Sequence, residues 1–454
     1  MMSTEKRGSW GSRSGFVLAA AGSAVGLGNI WGFPTQVGQG GGAVFVVVYL
    51  ASVVLICLPI MLAELSVGRA AQLDPVGSFL ALIPNSRWWL VGGLGILAGV
   101  GILSFYSVIA GWSLAYIWFT TTGSITGDAD TIITFFSNFT ANGPLTITLT
   151  LAILTFTATV LIGGVQSGIE RATKLMMPVL IILLLVLAIR AITLPGAAAG
   201  LSYYLRPDFS RLSDPAVINA ALGQAFFSLS LGMGTMLTYG SYLHRKENLL
   251  SVAGWVVVLD TGIALLAGFI IFPAGFSISG FDPSTSGPGL IFTVLPRLFS
   301  ELPGGQLFGG AFFALLTMAA LTSTISILEV PVAHLIDTHK WSRPRAILVI
   351  TAGTFLLALP SALGNGALGV LTQLPLIGIS FLDLMAAVWN NFALPLGGLL
   401  MAIFVGWVWG TDDALAEIDR QNARHPSLPI WVFLIRWVCP VAIGVIILYT
   451  AFSI

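Results

Sequence analysis

Asn29, Ser228, Asp260, Thr322 and Ser323 are polar side chains set inside long apolar runs, where hydrocarbon offers nothing to solvate them. Amides, hydroxyls, carboxylates and free carbonyls are the oxygen donors that hard cations take. Asp260 carries the most information, because an ionisable residue in the middle of a membrane segment is costly and functional by default. A neutral Asp260 that only packs through hydrogen bonds is the alternative. Thr322 and Ser323, taken alone, could equally bond back to their own helix carbonyls. Glu64 and Glu329 are two further acids in apolar surroundings, read as partners for loosened backbone rather than as groups that touch a solute.

The backbone that must position these groups is interrupted twice. Gly22-Ser23-Ala24-Val25-Gly26-Leu27-Gly28-Asn29 breaks the first apolar run, and Phe226-Phe227-Ser228-Leu229-Ser230-Leu231-Gly232-Met233-Gly234 breaks one near mid-chain. Glycine weakens a helix, and unwinding in a bilayer frees amides and carbonyls that need partners, so such breaks persist where they line a cavity. The amides of Leu27 and Gly28, with the positive end of a half-helix, suit an anionic group, and Gly26 leaves room for it. A single Gly22…Gly26 pair would read as a helix-packing face. Two matched breaks beside hydroxyls and amides read as a mid-membrane binding site.

Of the 454 residues, 56% are hydrophobic and 8% charged, with a mean hydropathy of +0.95, so the chain is an all-α membrane protein rather than a soluble domain. Eleven crossing segments are expected, near residues 14–38, 42–68, 88–121, 146–163, 176–195, 216–243, 249–276, 306–338, 344–362, 378–409 and 430–452. The breaks fall in the first and sixth, five segments apart. That spacing points to two five-helix halves of opposite topology, 14–195 and 216–409, plus one added helix at 430–454. A short tail (1–13), an outer loop (196–215) and an inner loop (410–429) complete the layout, and the other long outer loops lie at 122–145 and 277–305.

With the amino terminus in the cytoplasm, Arg190, Arg206, Arg211 and Arg297 alone among the nineteen basic residues fall outside. The positive-inside rule therefore predicts a plasma (inner) membrane protein whose amino terminus is cytoplasmic and whose carboxyl terminus is extracellular or periplasmic. Lys6 and Arg7 before Phe16-Val17-Leu18 imitate a secretory signal, but more membrane follows, so this is read as an uncleaved first helix. Balanced charge and no basic run argue against a nucleic-acid partner. Cys57 and Cys439 read as buried thiols. The four histidines, His244, His334, His339 and His425, form no HExxH or paired metal spacing, which argues against an embedded enzyme. No segment repeats the charged or hydroxyl rings of a channel filter.

At Gly26-Leu27-Gly28-Asn29-Ile30-Trp31-Gly32-Phe33-Pro34 and Gly40-Gly41-Gly42-Ala43, the chain resembles the neurotransmitter:sodium symporter family, in its bacterial eleven-helix amino-acid branch. Glu64 before Gly68-Arg69, Gly223-Gln224-Ala225-Phe226-Phe227 and Leu321-Thr322-Ser323-Thr324 extend the likeness over nearly the whole length. Broken helices around a mid-membrane site are the established architecture of that family. The resemblance implies a sodium-coupled symporter of an amino acid. Tyr106 would donate to the carboxylate, and Ser230 with carbonyls of both breaks would receive the ammonium. Glycine at position 26, where monoamine members carry aspartate, favours a solute that brings its own carboxylate.

It also implies two sodium sites. The first takes the Ala24 carbonyl, Asn29, Ser228, Asp260 and the bound carboxylate; the second takes the carbonyls of Gly22, Val25 and Ala319 with the hydroxyls of Thr322 and Ser323. The chloride site of some relatives matches Tyr49, Gln224 and Ser228, but Ala264 stands where a further ligand is expected and Asp260 where asparagine is common. Chloride independence follows as an expectation. The cytoplasmic gate would be Arg7, Trp10, Ser241, Tyr242 and Asp337. The outer ion pair is replaced by Gly32 and Ala386, which leaves closure to Phe227, Tyr106 and Gln36, with Asp383 near an outer vestibule. The substrate pocket comprises Ala24, Gly26, Leu27, Gly28, Ile102, Tyr106, Phe227, Ser228, Ser230, Met233, Ser323 and Ile327. Met233 either provides an adaptable wall for hydrophobic side chains of several sizes or simply packs the core. A non-transporting amino-acid sensor on the same fold would carry the same binding residues.

Overall fold

The computed structural model describes residues 8–278, 280–284, 290–301, 304–420 and 425–452, and within them the chain is helical with no strand. Arg7 lies outside the described residues. The first crossing is a bent pair, α1 (Arg13–Ala24) and α2 (Gly28–Gln39), which meet at 50°. Then follow α3 (Ala43–Ala71), a short α4 (Pro75–Leu82) and α5 (Trp89–Thr121). Next come α6 (Ala129–Thr140), α7 (Gly143–Ile162), α8 (Val165–Ile192) and α9 (Ala197–Leu205). Two short helices, α10 (Pro215–Ser228) and α11 (Thr235–Ser241), precede α12 (Leu249–Gly275). The chain closes with α13 (Ile291–Ser300), α14 (Gly305–Asp337), α15 (Arg343–Leu363), α16 (Phe381–Val408), α17 (Thr411–Ile418) and α18 (Leu428–Phe452).

Nine of the described helices are long and apolar enough to cross a membrane, ten with the bent pair taken as one span, against the eleven expected. The difference lies at 216–243: α10 and α11 have 14 and 7 residues, and neither crosses alone. Sequence boundaries agree elsewhere to within a few residues, with one exception. The fifth segment starts at Val165 rather than 176, because Gln166, Glu170, Arg171 and Lys174 polarise a stretch that still winds, first as a wide π-turn over Val165–Glu170. The three long loops expected on the outer side also carry helices, α6, α9 and α13. In α6 the Asp128 carboxylate caps the Thr131 amide, so an acidic, threonine-rich stretch reads as loop yet starts a helix.

Packing sets the helices in layers. The central α5 and α14 bury about three quarters of their membrane stretch and run against each other, whereas α7, α8 and α15 bury only a third and turn Leu175, Ile182, Leu348 and Leu356 outward. An outward leucine in hydrocarbon needs no partner. An outward amide would, and this is why the two breaks sit in the middle of the bundle.

Candidate functional site

The first break begins where Val25 leaves helical geometry, with φ −71° and ψ 105°. Asn29 repairs the damage locally: its Oδ1 accepts from the Gly26 amide at 3.0 Å, and the chain rewinds as a π-turn over Gly28–Gly32. The Leu27 amide is left to a distant partner, donating to the Tyr106 hydroxyl at 2.8 Å. Gly26 faces the same place, since a Cβ there would run into the hydroxyls of Tyr106 and Ser323. A Cβ on Gly28 would meet the Phe227 ring at 3.0 Å. Bare backbone is therefore a steric requirement here.

The second break turns through left-handed backbone at Ser230, Gly232 and Gly234 (φ 53°, 80° and 75°). Glu64 holds it by accepting the Gly232 amide at 2.8 Å, which is the role expected for that acid. Gly232 also lies against α16, where a Cβ would strike the Leu394 carbonyl. Ser230 bridges the two breaks, donating to the Ser23 carbonyl at 3.0 Å, and Ser323 donates to that carbonyl at 3.1 Å. The Ser23 carbonyl was absent from the sequence reading, which weighed its neighbours Gly22 and Ala24.

Around these breaks two oxygen-rich clusters form. Asn29 donates to Ser228 Oγ at 3.0 Å and to Asp260 Oδ1 at 2.7 Å, while Ser228 donates to both Asp260 oxygens at 3.1 and 2.9 Å. Tyr49 completes this group through Ser228 at 3.3 Å. Gln224 stands apart and donates to the Gly28 carbonyl at 2.7 Å. Ala264 is buried one turn beyond Asp260. In the second cluster Thr322 Oγ1 meets the carbonyls of Val25 (3.3 Å) and Ala319 (2.9 Å), and Ser323 Oγ meets the same two at 3.4 Å each. Ala24 is buried at the end of α1 beside both clusters in sequence; Gly22, two residues back, packs against Met177 and Thr173.

The wall expected for the pocket follows one face of α5. Gly99, Ile102 and Tyr106 follow at three- and four-residue spacing. A Cβ at Gly99 would touch Ile327 at 3.4 Å and the Met233 carbonyl at 3.9 Å, so Gly99 joins the predicted walls. Its position one turn before Ile102 was the available signal. Tyr106 and Phe227 line a cavity of about 370 Å³ together with Trp31, Gly32, Gln36, Asp383 and Ala386, and they are the two predicted pocket residues that border it; the others lie packed around the breaks. The outer-mouth residues expected from sequence are thus together, and Asp383 is held by Ser380 at its own helix start.

Trp10, expected at the inner gate, is buried. Its indole donates to the Tyr239 carbonyl at 3.1 Å and packs edge-on against Phe16, Tyr239 and Tyr242. Tyr242 donates to Glu329 at 2.9 Å, and Arg343 grips that carboxylate with both Nη nitrogens at 3.0 and 2.5 Å. This corrects the reading of Glu329: it binds a gate tyrosine and an arginine, because α15 brings Arg343 within reach and a buried carboxylate needs a cation. Arg343 was missed, since nothing in the sequence distinguishes it from other loop arginines. Ser241 donates to the Thr238 carbonyl at 2.6 Å, and Asp337 ends α14, where Lys340 takes its carbonyl at 2.6 Å.

Interrupted helices in the middle of an apolar bundle, with buried hydroxyls, amides and a carboxylate gathered at the breaks, are the features of a membrane transporter. The sodium:neurotransmitter symporter family model matches residues 7–131 and 128–454. The uncharacterized sodium-dependent transporter YhdH of Bacillus subtilis is 38% identical over 98% of both chains. The human sodium- and chloride-dependent GABA transporter 2 is 27% identical over 96% of this chain and 79% of its own. The crystal structure of MhsT in complex with L-phenylalanine superposes with a TM-score of 0.90 at 45% identity, covering 98% of this chain and all of that one. The chain belongs to the sodium:neurotransmitter symporter family.

Proposed function

We propose that this protein is a sodium-coupled symporter of a neutral, hydrophobic amino acid that works without chloride. One observation carries the reading: the Leu27 amide, between side-chain-free Gly26 and Gly28, faces the Tyr106 hydroxyl beside the Asn29–Ser228–Asp260 cluster. A bound carboxylate would replace the bond between that amide and that hydroxyl, since each of them can donate to it instead. Ser230 and the carbonyls of the breaks then face the ammonium, and Ile102, Met233, Phe227 and Ile327 enclose the side chain. The L-phenylalanine named with MhsT supports a large apolar ligand.

The first sodium ion would take the Ala24 carbonyl, Asn29, Ser228, Asp260 and the substrate carboxylate. The second would take the carbonyls of Gly22, Val25 and Ala319 with Thr322 and Ser323. Four of those five already converge, and every donor is oxygen, as a hard cation requires. Sharing the carboxylate makes ion and solute stabilise each other, so sodium running downhill can drive solute uphill. Asp260 supplies the negative charge that chloride brings elsewhere. Residues 14–195 and 216–409 act as inverted halves, with α10 and α11 together as the sixth span and the vestibule on the outer face. Residues Arg7, Trp10, Ser241, Tyr242 and Asp337 form the inner gate.

Uptake into proteoliposomes under a sodium gradient tests this. Labelled leucine should enter only with sodium, be displaced by several hydrophobic amino acids, and enter equally when gluconate replaces chloride. Loss of uptake without chloride, or competition confined to glycine and alanine, contradicts it.

A further inference from the structure

Arg436 is a cation on a helix that turns most of its surface outward and buries one side, through Trp431, Ile435, Cys439 and Ile443. Its neighbours on α18 turn outward, with Phe433, Trp437 and Val441 more than half exposed. The Arg436 Nε donates to the Gly406 carbonyl of α16 at 3.0 Å, and Trp407 Nε1 donates back to the Arg436 carbonyl at 3.3 Å. The rings of Trp407 and Trp437 meet edge to face at 4.9 Å, and the guanidinium stands 5.9 Å from the Trp407 ring centre. Neither Nη nitrogen has an acceptor among the described residues. Glu417, on α17 between α16 and α18, is taken by Arg69 and Arg420.

A half-paired guanidinium at the edge of hydrocarbon is costly unless an anion meets it. Trp407 and Trp437, both more than half exposed, lie where α16 ends and in the first half of α18, as tryptophans at a membrane interface do. The fork left by the Nη nitrogens matches phosphate oxygens two at a time. We propose that Arg436, framed by Trp407 and Trp437, binds the phosphate of an anionic phospholipid in the cytoplasmic leaflet. The leaflet follows from the proposed orientation; the site does not depend on what is transported.

The test uses the purified full chain in nanodiscs containing brominated phosphatidylglycerol or, at equal mole fraction, brominated phosphatidylcholine. The fluorescence of a Trp407→Phe/Trp437→Phe variant is subtracted to isolate the two rings. The anionic lipid should quench them about fivefold more effectively, the preference one basic residue gives at an anionic surface. Arg436→Gln, checked by monodisperse elution, should abolish the preference and Arg436→Lys keep part of it. Equal quenching by the two lipids in the native chain overturns the proposal, and so does a preference that survives in Arg436→Gln. Quenching relieved by inorganic phosphate overturns it by pointing to a free anion site. Quenching that changes with copies of the chain per disc, rather than with lipid, overturns it in favour of a second copy.

Discussion

At the scale of single residues, the site rests on groups whose chemistry cannot be exchanged. Tyr106→Phe removes one hydrogen bond to a charged carboxylate, worth ~1.5–3 kcal/mol, so amino-acid affinity should fall about ten- to a hundredfold with folding intact. Equilibrium binding measures it. Gly26→Ala places a methyl against the Tyr106 and Ser323 hydroxyls and should weaken binding at least as much. Asp260→Asn removes the proposed fixed charge while keeping the shape of the cluster. Uptake by that variant should become chloride-dependent, measured as the ratio of rates in chloride and gluconate; a ratio near one would leave Asp260 without the role proposed for it. Thr322→Val should raise the sodium concentration for half-maximal uptake and leave the amino-acid selectivity profile unchanged.

At the scale of elements, the breaks are held by glycines with unequal duties, and that inequality can be measured. Gly232→Ala forces a side chain into left-handed backbone, which costs ~1–2 kcal/mol, and drives it onto the Leu394 carbonyl. Gly234→Ala meets only side-chain atoms of Pro75 and Val330, at 3.1 and 3.4 Å, that can shift. Melting in detergent should therefore fall more for Gly232→Ala; equal losses would mean that the contact with α16 is not what fixes the turn. Glu64→Gln retains an oxygen for the Gly232 amide and should stay close to the native melting temperature, whereas Glu64→Leu should not. Both breaks were legible in the sequence because glycine clusters interrupt otherwise continuous apolar runs. The paired hydroxyls and the buried acids were legible for a related reason, being polar groups where hydrocarbon excludes them, though the partners of Glu329 were not; the outer-mouth residues came from the family resemblance. The start of α8 was hidden by Glu170 and Lys174, which neutralise each other at 2.6 Å and so permit a helix where a charge-free rule expects loop. Gly99 and Arg343 were hidden because their roles depend on which helix lies opposite, and no spacing within one segment reveals that.

At the scale of the whole molecule, a cavity reaches Tyr106 and Phe227, and the proposed inner gate is built around the buried Trp10. Cys57 and Cys439 are fully buried, so introduced cysteines should report access without background. A cysteine at Ala386 should react with a charged thiol reagent from the outside and be protected when sodium and amino acid are both bound. In a Trp10→Ala background the same cysteine should react more slowly, as the proposed gate no longer holds the inner end shut. The joint requirement for ion and solute is the feature on which transport depends. It is tested most directly by equilibrium binding of labelled leucine to the purified chain in sodium and in choline. Saturable binding in sodium alone, lost in Gly26→Ala, is the result expected. Equal binding in choline would contradict the claim that the interrupted helices hold an amino acid and a sodium ion as one unit.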